Sequence, residues 1–206
     1  MNEIATPVAT EDDAAWASIA TPLSVSDLKA FCTDTERFFR INPMLEFSKW
    51  ETTGDNRYQF AGKNISQDPP FDFEFEITVN ELDDGFCFEY DQGIKSSTIL
   101  KIEDDPQGSK LTITDHYDRL PVGEREAHIQ EVDKSIVIWA QYLQKFLVSW
   151  KTWSRFGIWR WYMKKVWQPM KPSARRITYM LLWITVIEIA LILLGGTIYF
   201  LEVDRV

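Results

Sequence analysis

The chain has 206 residues, with 22 Lys+Arg against 31 Asp+Glu, a formal net charge of −9, 45% hydrophobic residues and 14% aromatic ones. That composition is too apolar for a disordered chain and too acidic for a protein whose main partner is nucleic acid, so no nucleic-acid partner is expected. Two cysteines, Cys32 and Cys87, make neither a disulfide scaffold nor a zinc ribbon.

In chain order, residues 1–13 read as an acidic, flexible tail. They have no basic n-region and no apolar h-region, so no signal peptide is expected. Ala14–Ala20, AAWASIA, alternates and stops at Thr21-Pro22, which predicts a strand. Ser24 to Asp27 offer an N-cap to a helix that carries Leu28, Phe31 and Cys32 on one face. Thr33-Asp34 ends it and caps a second short helix, TERFFRI, closed by Asn42-Pro43. Six strand-like runs follow: LEFSKWET, RYQFAGK, FDFEFEITVNEL, GFCFEYDQ, SSTILKIED and KLTITDHYD. Turn signals part them at Gly54-Asp55-Asn56, Asp68-Pro69-Pro70, Asp83-Asp84-Gly85 and Asp105-Pro106-Gln107-Gly108. Phe71, Phe73 and Phe75 alternate with Asp72, Glu74 and Glu76, giving one apolar and one acidic face. Helical spacing from about Gly123 through Ile129, Val132, Ile136, Trp139, Leu143 and Leu147 then predicts one long helix. This order belongs to an α+β helix-grip fold, a curved antiparallel sheet around a long C-terminal helix.

Charge is unevenly spread. Residues 1–150 carry 13 basic and 28 acidic side chains, whereas residues 151–176 carry eight basic ones and no acid. Trp150, Trp153, Trp159, Trp161 and Trp167 are interleaved here with Arg155, Arg160, Lys164 and Lys165. Tryptophan with cations suits the lipid headgroup layer, so residues 149–176 read as an interfacial aromatic and basic helix on anionic lipid. Packing on the soluble domain is the alternative. Pro169 and Pro172 are expected to break that helix before the span. From Ile177 to Leu201 the chain is apolar apart from Glu188, and 25 residues at about 1.5 Å per residue cross a hydrocarbon core of roughly 30 Å. The positive-inside rule puts residues 1–176 in the cytoplasm and residues 202–206 outside, a single-pass, tail-anchored membrane protein. Glu188 reads either as a contact to another transmembrane helix or as a protonated carboxyl tolerated by its neighbours.

The run TPLSVSDLKAFCTDTERFFRINPMLEFSKWE resembles the opening of the SRPBCC superfamily, which includes START-like, Bet v 1-like and polyketide cyclase-like proteins. Thr21-Pro22, Leu28, Phe31, Thr33-Asp34, Arg37, Asn42-Pro43 and Phe47 stand at matching places, while Ile41 replaces the usual tryptophan. The resemblance covers residues 14–148 and leaves the membrane anchor outside it. It implies a cavity between sheet and helix for a lipid or other hydrophobic small molecule. Candidate lining residues are Phe60, Phe73, Phe75, Phe86, Phe88 and Tyr90, facing Ile136, Trp139 and Leu143. A core filled by the same aromatics is the alternative.

Catalytic motifs are missing from the sequence: no G-x-S-x-G, P-loop or G-x-G-x-x-G occurs. His116 and His128 read as surface or capping residues, the cysteines as small buried hydrophobes, and no metal or cofactor is implied. The acid runs Glu11-Asp12-Asp13, Asp83-Asp84 and Glu103-Asp104-Asp105 read as solvated, and Asn64-Ile65-Ser66 matches a glycosylation sequon. Three functions stay open: a membrane-anchored module that binds a hydrophobic ligand, an accessory subunit of a membrane complex, and a cyclase or aromatase-type enzyme.

Overall fold

A computed structural model describes residues 14–119 and 134–203. They fall into two compact units that part between Gln168 and Pro169. In the first, strand β1 (Ala14–Thr21) leads into helices α1 (Val25–Cys32) and α2 (Thr35–Arg40). Ser24 caps α1 by accepting the Asp27 N–H at 3.1 Å, and Asp34 caps α2 by accepting that of Arg37 at 3.1 Å. Six strands follow: β2 (Leu45–Gly54), β3 (Arg57–Asn64), β4 (Phe71–Leu82), β5 (Gly85–Tyr90), β6 (Ser97–Asp105) and β7 (Gly108–His116). All neighbours pair antiparallel, in the order β1-β7-β6-β5-β4-β3-β2. The meander from β2 to β7 needs only short turns, whereas β1 reaches the far edge by pairing with β7. At Gly85 the backbone of β6 passes so close that an added Cβ would lie 1.8 Å from the Leu100 carbonyl oxygen.

Helix α3 (Ile136–Trp153) closes the domain. Its buried residues Ile136, Trp139, Ala140, Leu143, Phe146 and Leu147 recur at helical spacing and share one core with inward residues of every strand. This is the helix-grip architecture. The centre of the core is aromatic: Phe38 lies 5.0 Å from Trp139 and 6.0 Å from both Phe39 and Phe88, centroid to centroid. Cys32 is buried among these residues; burial pushes its thiol up to about 12, with the nearby Arg37 pulling the other way, so it stays protonated.

The start of α3 corrects the sequence expectation. Lys134 and Ser135 are not helical, and the helix begins at Ile136 rather than at Gly123; Ile129, Val132 and His128 lie outside the described residues, as do Glu11-Asp12-Asp13. Both residues before the helix are taken by tertiary bonds. Asn42, fully buried, donates from Nδ2 to the Ser135 hydroxyl at 2.6 Å, and Lys134 donates its N–H to the Ser66 hydroxyl at 3.2 Å.

After Trp153 the chain breaks at Ser154–Phe156, resumes in a short helix α4 (Gly157–Tyr162) and widens into a π-helical turn (Met163–Trp167). The single interfacial helix expected from the sequence is thus three pieces. The second unit is helix α5 (Pro172–Val203), 32 residues long, or about 48 Å. Pro172 does not break a helix; it opens one, at the position where its missing N–H costs nothing. Between Pro172 and Leu201 α5 is long and apolar enough to cross a membrane, and its apolar window is unburied. Thr185 and Thr197 turn their hydroxyls onto the carbonyls of Leu181 and Leu193, at 3.1 and 2.8 Å, so each polar group is satisfied within the helix.

Because Phe38 touches three aromatic neighbours and is fully buried, we expect Phe38→Ala to lower unfolding free energy by about 3–5 kcal/mol. Val148→Ala, on the exposed side of α3, should shift it by less than about 0.5 kcal/mol. Urea unfolding of the detergent-solubilised chain followed by near-ultraviolet circular dichroism measures both.

Candidate functional site

Between the inner face of the β3–β4 hairpin, helix α2 and helix α3 lies a cavity of about 340 Å³. It stands at the small end of ligand pockets, which run about 300–1,000 Å³. The walls follow from strand register. Phe60 on β3 pairs with Phe75 on β4, Gly62 with Phe73 and Asn64 with Phe71, so alternate residues of both strands present rings to the same side. Phe73 and Phe75 stack 5.6 Å apart with planes 5° apart, and Phe60 meets them edge-on at 6.1 Å each. Phe39, Leu45 and Trp139 complete the inner wall.

The connection from β5 to β6 forms the other side, through Gln92, Gly93, Ile94 and Lys95, with Tyr90 at its start and the ring of Tyr117, just past β7, 5.8 Å from Lys95 Nζ. Asp91 and Gln92 tie it to β4: Asp91 accepts the Glu76 N–H at 2.8 Å, and Gln92 donates to the Glu74 carbonyl at 2.7 Å. Gly93 has φ +84° and sits against Phe75, where an added Cβ would come within 2.8 Å of the ring.

A buried polar chain backs this side. Asp115 is fully buried on β7 and accepts from Lys95 Nζ at 2.8 Å and from the Thr98 hydroxyl at 2.5 Å. The Tyr90 hydroxyl lies 3.1 Å from Thr98 Oγ1. Since Asp115 as a carboxylate can only accept, Thr98 donates to it and so receives the Tyr90 proton. The direction runs Tyr90 to Thr98 to Asp115, and Lys95 neutralises the charge at its end.

Of the nine lining candidates, Phe60, Phe73, Phe75, Tyr90 and Trp139 border the cavity. Phe86, Phe88, Ile136 and Leu143 are buried in the packed core beside it, Phe88 against Phe38 and Phe39. Sequence reasoning missed Asn64, Lys95, Tyr117 and Asp115. The signal for the ion pair was faint, a Lys and an Asp twenty positions apart on β-rich sequence. His116 ends β7, where its carbonyl accepts the Ser96 N–H at 2.9 Å.

The aromatic and basic stretch divides in two. Trp150 stacks on Phe146 at 5.9 Å and meets Phe31 edge-on at 5.6 Å, Trp159 packs on Trp150 at 5.5 Å, and Trp167 packs on Phe146 at 5.2 Å. Arg37 lays its guanidinium over both rings, 4.1 and 4.6 Å from the Phe31 and Trp150 centroids, and donates to the Phe31 carbonyl at 2.9 Å. Burial draws the Arg37 pKa down, opposed by the neighbouring Asp34. Trp153 and Trp161 are exposed, with Phe156 and Ile158, the last 86% exposed. Arg155, Arg160, Lys164 and Lys165 are exposed among them.

No protein-family model matches the sequence, and no curated protein does. Solved structures do resemble it. Protein Ms6760 from Mycobacterium smegmatis is 11% identical over 74% of this chain and 99% of its own, with a TM-score of 0.50. The likeness is one of fold alone. Two further solved structures are TTHA0849 from Thermus thermophilus, 12% identical over 66% of this chain and 97% of its own with a TM-score of 0.49, and a STAR-related lipid transfer protein from Xanthomonas axonopodis, 14% identical over 69% and 97% with a TM-score of 0.42.

The Lys95–Asp115 pair yields a double-variant test. Lys95→Met leaves a buried carboxylate with one donor fewer, and we expect a loss of about 3–5 kcal/mol in stability. Lys95→Met combined with Asp115→Asn keeps an acceptor for Thr98 and removes the charge, and should recover most of that loss in the same urea titration.

Proposed function

We propose that this protein holds a hydrophobic small molecule in a helix-grip cavity kept at the cytoplasmic face of a membrane by the C-terminal helix. The observation that carries the reading is the cavity of about 340 Å³ walled by Phe39, Phe60, Phe73, Phe75 and Trp139. A void that large and apolar is costly to leave in a core, since unfilled volume forfeits contacts on every wall. A ligand restores those contacts. The volume suits a single ring system or one short chain, and a two-chain phospholipid overfills it.

Membrane placement draws on α5, apolar from Ile177 to Leu201 apart from Glu188, and on the cations before that stretch. The exposed Trp153, Phe156, Ile158 and Trp161 beside Arg155, Arg160, Lys164 and Lys165 give the domain its own patch for anionic headgroups. Trp150, Trp159 and Trp167 serve instead to pack this patch onto the domain. A second reading, an accessory subunit of a membrane complex, is favoured by Glu188, a carboxyl within the apolar helix that would cost about 2.5–3.5 kcal/mol there if charged and unpartnered.

Native mass spectrometry of the full chain released from its own membranes tests the first reading against the second. We expect one small molecule per chain, lost at least tenfold in Phe73→Trp, whose larger ring takes up cavity space. An empty domain arriving with other subunits would overturn ligand binding in favour of the accessory role.

For the anchor, we expect the chain to stay in the pellet after alkaline carbonate washing. Protease added on the cytoplasmic side should remove the domain and protease on the opposite side should spare it. The reverse protection pattern would overturn the orientation.

A further inference from the structure

Asn64 ends β3 on the cavity wall and is 3% exposed. Its Oδ1 accepts the Ser66 N–H at 2.8 Å, which fixes the end of the amide that carries oxygen. The Nδ2 group, with two N–H donors, has no hydrogen-bond partner among the described residues. Nor is it sealed in: among the described residues the fully enclosed side-chain atom without a partner is Arg37 Nε, so the Asn64 nitrogen keeps some accessible surface, on a residue that lines the cavity.

The polar groups around it are otherwise engaged. Lys95 donates to Asp115, Tyr90 to Thr98 and Gln92 to the Glu74 carbonyl. A buried amide with idle donors is uncommon in folded proteins, because it has surrendered its water without replacement. Any molecule that fills the cavity and displaces water has to answer those donors or leave them stranded. Most of the remaining wall is aromatic ring, against which a buried charge is costly, so the lining disfavours an ionic partner.

We propose that Asn64 Nδ2 is the polar anchor of the cavity, and that the ligand is an apolar body bearing a neutral carbonyl oxygen which accepts from it. The body lies against Phe60, Phe73 and Phe75. This rests on the reading of the cavity as a ligand site. It also gives the Asn64-Ile65-Ser66 triplet a use other than glycosylation, for which the Asn64 amide is too deeply buried.

A matched pair of probes decides it: acetylnaphthalene, which carries a carbonyl, and isopropenylnaphthalene, its hydrocarbon isostere. Both are titrated calorimetrically into the full chain in nanodiscs, with empty nanodiscs as the blank. We expect the ketone to bind about 10- to 100-fold more tightly than the isostere, the span of one hydrogen bond to a buried donor. Asn64→Asp keeps an acceptor for the Ser66 N–H while replacing donors by a second acceptor, and should abolish the preference. In the native protein the Asn64 side-chain amide protons should shift in nitrogen-15 spectra with the ketone alone, a readout that needs no variant to fold. Equal binding of the two probes overturns the anchor and leaves the cavity reading standing. A preference that survives Asn64→Asp, or amide protons that do not move, also overturns it. Failure of both probes to bind overturns the cavity reading and the anchor with it.

Discussion

The indole of Trp139 packs on Phe38 at 5.0 Å and on Phe39 at 5.4 Å, and its N–H donates to the Phe38 carbonyl at 3.3 Å. One side chain thereby joins α3 to α2, and through Phe38 and Phe39 to Phe88 on the sheet. The same ring is also a wall of the cavity. The void is therefore bounded by a residue that cannot move inward without breaking the contact between the two helices. Aromatic rings resist collapse for a further reason: with few rotatable bonds and fixed shapes they cannot remould around a gap as methionine does.

Polar groups are placed just as specifically. Asn42 and Ser66 hold the two residues ahead of α3 by side-chain bonds, so the position of the helix start is set by tertiary contacts far away in sequence. Asp115 is buried only because Lys95 and Thr98 meet it, and those residues come from the edge of β6 and the connection before it. The sheet that builds the apolar wall thus also delivers the charges that stiffen the loop beside it.

Much of the fold was legible because strand alternation is a local signal. Phe71, Phe73 and Phe75 against Asp72, Glu74 and Glu76 settle which face of β4 turns inward, and the turn residues mark where each strand stops. The start of α3 was not legible, since helical periodicity continues upstream of Ile136 while the bonds that set the boundary are tertiary. The lining aromatics were half legible: periodicity says that Phe88 and Phe73 both face inward, and only three-dimensional packing separates the ring in the core from the ring on the void. Asn64 was hidden by its own context, a triplet that resembles a surface motif. The tryptophans from Trp150 to Trp167 show the same ambiguity, because an aromatic beside cations suits either lipid or a guanidinium such as Arg37.

Strand β1 pairs with β7, Ala14 opposite His116, across about a hundred residues of chain. During synthesis at roughly 5–20 residues per second, that strand waits on the order of 5–20 s before its partner exists. For that interval Trp16 and Ile19 belong to an unpaired, partly apolar segment, and the meander from β2 to β6 can form without it. Closure of the sheet is thus a late, long-range event of the kind that slows folding. The apolar helix α5 is made later still, so the order of residues gives the domain time to complete its sheet before a segment long and apolar enough to cross a membrane emerges behind it.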